Sequence, residues 1–126
     1  MREGLGAVVW PEPFDSKLAM LAATYAKEVG RAVAFSLAAM RQAFLAGRDL
    51  SVVDNVLIAA AACELHPRAV LKALESGRVA AGLEAAGARA AGAGASELPA
   101  IVAGDRVWSG AEAIKAAQEG AFSELR

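Results

Sequence analysis

A single cysteine, a single histidine, four prolines and few aromatic residues (four Phe, two Trp, one Tyr) among 126 residues leave several chemistries without material. One thiol closes no internal disulfide, in keeping with a reducing, cytoplasmic compartment. One histidine offers no zinc set of three or four His, Cys or acidic ligands, so no metal is expected. A Ser-His-Asp or Cys-His catalytic set would have to be assembled around His66 alone. Excess charge is lacking too: 13 Lys+Arg face 14 Asp+Glu, for a net −1 at pH 7. With the cations scattered singly, no basic field invites nucleic acid. The longest uncharged apolar stretches, 32–40 and 56–63, fall far short of the ~20 residues that span a bilayer. The start, Met1-Arg2-Glu3-Gly4-Leu5-Gly6, carries an acid and no continuous apolar region, and does not read as a signal peptide.

What is abundant is small. With 33 Ala and 12 Gly, the core must be built from short side chains, and helices can approach one another closely. Alanine is also the best intrinsic helix former, so composition favours a mainly helical chain.

The pattern along the chain predicts an α+β, predominantly helical protein. Residues 7–10, Ala-Val-Val-Trp, read as a short strand stopped by Pro11 and Pro13. Asp15 or Ser16 can cap a first helix that Gly30 closes. A second helix over 31–46 carries Val33, Leu37, Met40 and Phe44 on one face. Ser51 with Asp54 resembles a capping box opening a third helix to about residue 65, its buried stripe being Val53, Val56, Leu57, Ala60 and Cys63. Pro67 suits the first position of a fourth helix, with His66 before it and Gly77 just past its end. The Ala, Gly, Arg and Glu of 78–94 make a fifth, with Gly82 and Gly87 inside it, and 91–96 form a flexible connector. After Pro99 the pattern turns to β: 100–103, Gly104-Asp105, then 106–108 predict a hairpin. Ser109 can cap a last helix packed through Ala113, Ile114 and Ala117 and ended by Gly120.

Residues with reactive side chains mostly have simpler uses. Cys63 shares an apolar face with Val56 and has no partner at redox or metal spacing, which is the setting of a buried structural thiol. His66 next to Pro67 is a helix-start histidine. Glu12 with Asp15, and Asp49 with Asp54, could each be a carboxylate pair, but acids beside helix starts more often serve the helix macrodipole. Gly92-Ala93-Gly94 is followed by no Gly-Lys-Ser/Thr and is no phosphate loop. Trp10, Phe14 and Trp108 flank strands and could line a cleft. Leu98-Pro99, a proline after a flexible approach and just before a strand, is a place where a cis peptide is often found, and the sequence leaves its isomer open.

Trp10 to Met20 (WPEPFDSKLAM), the run Phe35 to Phe44 followed by Gly47-Arg48-Asp49-Leu50-Ser51, His66-Pro67-Arg68-Ala69, and Leu98 to Trp108 (LPAIVAGDRVW) occur in an order and spacing that resembles the DsbA family of thioredoxin-fold proteins. The relatives within it are the 2-hydroxychromene-2-carboxylate isomerases and kappa-class glutathione transferases. The resemblance covers most of the chain from Trp10 to about Ala117. It implies an incomplete thioredoxin-like fold: a short strand and turn over 6–14, a helical insert of about five helices over 15–94, a cis-proline hairpin and helix over 95–120 and a tail over 121–126. It also implies a substrate-binding role for Leu98 and Pro99, with a thiol peptide or glutathione as the ligand; Trp10 and Phe14, as cleft aromatics, are the further substrate-binding candidates.

The family's first strand and helix, which carry Cys-x-x-Cys or its serine variant, have no counterpart before Gly6, so no catalytic residue is assigned. Where the family often has an Asp-Arg pair holding glutathione, this chain reads Ser109-Gly110-Ala111-Glu112, so no cofactor is assigned either. The missing strand is central in the thioredoxin fold, and its loss leaves strand edges unpaired. A second copy of the chain, a separate chain or a preceding segment is expected to fill the gap. The chain then reads as a portion of a thiol-disulfide oxidoreductase or isomerase, not catalytic alone. The alternatives are a stand-alone helical protein-binding or dimerisation module, or a small-molecule-binding helical domain using Trp10, Phe14 and Trp108.

Overall fold

The computed structural model describes residues 7–120. Among them are six helices and one antiparallel pair of strands: α1 (Lys17–Glu28), α2 (Ala32–Phe44), α3 (Val53–Ala62), α4 (Pro67–Leu74), α5 (Gly77–Gly92), β1 (Ala100–Ala103), β2 (Arg106–Ser109) and α6 (Ala111–Glu119). The α+β, predominantly helical class and the five helices ahead of the hairpin follow the sequence expectation. The chain divides into two compact units, with the division after Leu83, inside α5.

In the first unit α1, α2 and α3 pack through small side chains. Ala19, Ala22 and Ala26 of α1, Phe35, Ala39 and Ala43 of α2, and Val56, Ala59, Ala60 and Cys63 at α3 are buried in one cluster that Val70 of α4 joins. Their three- and four-residue spacings put each set on one side of its helix. A second cluster of Leu21, Ala73 and Val79 ties α1, α4 and the start of α5 together. Phe35 is the largest of the fully buried side chains. Gly82 of α5 leaves a Cβ-sized gap only 3.4 Å from the Thr24 methyl, so the helices meet closely there as well.

Four local readings are corrected. Residues 7–10 form no strand: no strand lies beside them among the described residues, and the Val9 N–H instead donates to the Phe44 carbonyl at the end of α2 (2.6 Å). The first expected residue of that segment, Gly6, and the tail 121–126 lie outside the described residues. The expected α2 stripe is not the packed one: Val33, Leu37 and Met40 are exposed, because the flatter face of Phe35, Ala39 and Ala43 allows closer approach to α1 and α3. Gly77 opens α5 instead of closing α4, and Ser76 Oγ accepts from the Val79 N–H at its start (3.3 Å). In α6 the buried pair is Ala113 and Ala116, while Ile114 faces out.

At the helix starts some expected residues serve and others are replaced. Asp15, not Ser16, accepts at α1, from the Lys17 N–H (2.9 Å). Ahead of α3 the expected Ser51–Asp54 box is replaced by Asp49, whose Oδ1 accepts from the Ser51 hydroxyl (2.5 Å) and the Ser51 N–H (2.8 Å). His66 does start α4: its Nδ1 accepts from the Arg68 N–H (3.1 Å), with Pro67 first in the helix.

The second unit holds the hairpin and α6. β1 and β2 pair in the register Ala100↔Ser109, Ile101↔Trp108, Val102↔Val107, Ala103↔Arg106. Gly104 takes φ +61° at the first turn position and Asp105 keeps a negative φ, the pattern of a type II′ turn whose twist suits a hairpin. The Arg106 guanidinium lies 4.8 Å from the centroid of the Trp108 ring. Ala113 and Ala116 of α6 are buried, and α6 packs on β2. No helix among the described residues is long and apolar enough to cross a membrane.

Two outcomes are expected. Phe35→Ala removes the one large ring from an alanine core that cannot collapse around the void, and urea unfolding should read a loss of about 3–5 kcal/mol. The Ser51 hydroxyl and N–H hold the Asp49 carboxyl below its ordinary value of 3.8. That depression stabilises the fold above the unfolded-chain value and is lost as pH falls through the lower folded value. The melting-temperature advantage over Asp49→Ala should therefore be full at neutral pH and narrow in acid, and an advantage constant with pH would refute this role.

Candidate binding site

Two places gather the residues that the sequence singles out, one in each unit. In the second unit, residues 96–99 lead into β1 and are held against the end of β2. The Ser96 N–H donates to Ser109 Oγ (3.1 Å), and the Gly110 N–H donates to the Pro99 carbonyl (2.7 Å). Ser109 thus anchors this approach and does not cap α6; Gly110 stands at the cap position. The Leu98–Pro99 bond is cis. Leu98 itself is 86% exposed, and its backbone has no hydrogen-bond partner among the described residues. β1 is paired on one side by β2 and carries no second neighbour among the described residues.

In the first unit, Trp10 and Phe14 come together around Phe44. The Trp10 ring meets that of Phe44 edge-on, centroids 5.6 Å apart at 81°, with Trp10 itself 81% exposed. Phe14 lines an apolar groove of about 170 Å³ between α1 and α2, together with Met20, Met40, Phe44 and Leu50. Apart from the Ser16 and Ser36 hydroxyls its walls are hydrocarbon, sulfur and ring, so it can seat an apolar side chain and has nothing with which to move a proton. Trp108, the third aromatic of the expected cleft, belongs to the second unit and is half-buried there.

Met20, Met40 and Leu50 were not expected in a site. The available signal was α2 itself, whose 32–44 segment holds one charge, Arg41, and is apolar on every side. A larger, open depression of about 510 Å³ is bordered by Tyr25, Lys72, Glu75, Ser76 and Arg78. Its walls mix both charges, and Arg78 is engaged by Glu28 in an ion pair.

The lone thiol, the lone imidazole and two of the carboxylates make local contacts within the helical unit. Cys63 is buried, as expected, its Sγ donating to the Ala59 and Ala60 carbonyls (3.6 and 3.4 Å). The His66 imidazole is used by the α4 cap. Asp49 accepts from Ser51, and Asp15 from the start of α1, the local use of acids beside helix starts. No group of three His, Cys, Asp or Glu suited to a metal occurs among the described residues. Comparison with family models, with curated proteins and with solved structures gives no match.

Gly110 decides whether the Leu98 segment keeps its place. It adopts φ +62°, ψ −135°, backbone that L side chains rarely enter, and an added Cβ would stand 2.6 Å from the Glu97 carboxyl group. Gly110→Ala is expected to cost about 1–3 kcal/mol, mostly from the backbone conformation. Hydrogen exchange should show protection falling in β1, β2 and α6, and unchanged exchange there would contradict the assignment.

Proposed function

We propose that this chain is the helical insert and ligand-side hairpin of a DsbA-like thiol-disulfide oxidoreductase or isomerase acting in a reducing, cytoplasmic compartment, and that it binds a thiol-bearing peptide without transforming it. The observation that carries this reading is Leu98: exposed, with its backbone groups unpartnered among the described residues, and separated from β1 by Pro99 alone. Backbone N–H and C=O groups presented in this way can receive an extended peptide by adding a short strand, the mode in which main-chain hydrogen bonds supply affinity. Support comes also from the order of elements, five helices followed by Leu98-Pro99, hairpin and helix, which is the order the family resemblance implies.

The lone thiol, Cys63, is buried among α3 carbonyls, so the attacking sulfur of an exchange reaction must come from elsewhere. A partner or a further segment supplies it, together with the strand that pairs the open edge of β1. Trp10 and Phe14 then serve as an apolar contact of the helical unit.

The test follows backbone amides by NMR while an unstructured cysteine-containing peptide, and separately reduced glutathione, is added. Shifts should concentrate at Leu98, Ala100 and Ile101. Leu98→Pro, which deletes one donor, should weaken peptide binding about fivefold, the loss of one hydrogen bond at ~1 kcal/mol. An absence of shifts at Leu98, or a Leu98→Pro chain that binds as well as the parent, would sink the proposal.

A further inference from the structure

The outer side of α2 carries apolar side chains that the alanine core leaves out. Val33 is 82% exposed, Leu37 46% and Met40 59%. Spaced four and three apart, they form one straight ridge, and Phe44, four residues after Met40, continues it to the exposed Trp10 ring. Met40 is also a wall of the apolar groove between α1 and α2, with exposed Met20 across from it. One face of the first unit therefore presents a row of projecting apolar side chains and, directly beside it, an apolar recess of about 170 Å³.

We infer that this face is the contact through which two copies of the chain form a symmetric dimer. A two-fold interface uses the same patch on both partners, so it must be self-complementary. A ridge next to a groove satisfies this: Val33 and Leu37 of each copy enter the groove beside α2 of the other, as in ridges-into-grooves helix packing. The side chains of the ridge and the groove carry no charge. The open parts of Trp10, Met20, Val33, Leu37 and Met40 amount to about three full side chains, which at the ~150–250 Å² of an aromatic residue sets an upper bound of roughly 600 Å². That is the upper end of the largest apolar patch on a typical monomer and reaches the lower limit of the ~800 ± 200 Å² each partner brings to a standard interface. Ala34 and Arg41, exposed on the next positions of α2, and Lys17, one turn before Met20, supply the rim. The inference does not depend on the thiol-peptide reading, which concerns the second unit.

The experiment is sedimentation velocity of the whole 126-residue chain up to ~100 µM, spanning the affinities of ordinary weak dimers. A concentration-dependent dimer is expected. Val33→Lys and Leu37→Glu should each weaken it at least tenfold, and Ile114→Lys, at an exposed position of α6, should leave it unchanged. Val33 is almost wholly exposed, so its replacement tests the contact without touching the core, and far-UV circular dichroism should not change. A chain that stays monomeric throughout, a dimer indifferent to both α2 variants, or a dimer weakened equally by Ile114→Lys would each overturn the inference.

Discussion

Ala22, Ala26, Ala39, Ala43, Ala59 and Ala60 are all sealed from solvent, and because each side chain is a single methyl the surfaces of α1, α2 and α3 come together almost backbone to backbone, with Phe35 as the only aromatic ring in the buried set. Such packing costs little side-chain entropy, since alanine has no rotamers to lose. It also buries little area per residue, so the few larger groups, Phe35, Val56 and Val70, carry a disproportionate share of the hydrophobic stabilisation. A core of methyls has no room for long side chains. Val33, Leu37 and Met40 are therefore turned outward, and the apolar face on α2 is a by-product of the way the interior is filled.

The second unit obeys a different constraint. A two-stranded hairpin is marginal by itself, and here it is supported by α6 through Ala113 and Ala116 and by backbone ties from 96–99 to Ser109 and Gly110. These ties hold Pro99 at the mouth of β1 and leave Leu98 projecting. The same few hydrogen bonds thus support this small sheet and set where the Leu98 backbone is presented.

The two proposed contacts, of a peptide and of a second copy, call on surface and backbone groups and on none of the titratable side chains. The one thiol is enclosed, the one imidazole starts a helix, and the best-held carboxylate, Asp49, is spent on the turn before α3. What remains open is apolar surface in one unit and a strand edge with a bare peptide group in the other. Binding of an extended chain and self-association are the uses that such surfaces allow.

Much of the secondary structure was legible in the residues alone. Gly30 and Gly120 close helices, Pro67 begins one, and Gly104-Asp105 joins two β-prone runs, because capping and turn chemistry act over a few neighbouring residues. Cys63 as a buried thiol and His66 as a helix start were legible for the same local reason. Which face of α2 goes inward was not. The four-three-four stripe of Val33, Leu37, Met40 and Phe44 and the Phe35, Ala39, Ala43 face are both apolar, and periodicity measures hydrophobicity without measuring how closely a neighbour can approach. Nor could a β-prone 7–10 segment announce that it would find the Phe44 carbonyl in place of a strand, since pairing needs a partner that only the folded chain supplies. The sequence by itself determined the helical content, the hairpin and the scarcity of reactive groups, all of which follow from composition and short-range backbone preference. The tertiary structure alone decided which apolar side chains became core and which became surface, because that choice depends on the shapes of helices brought together from distant parts of the chain.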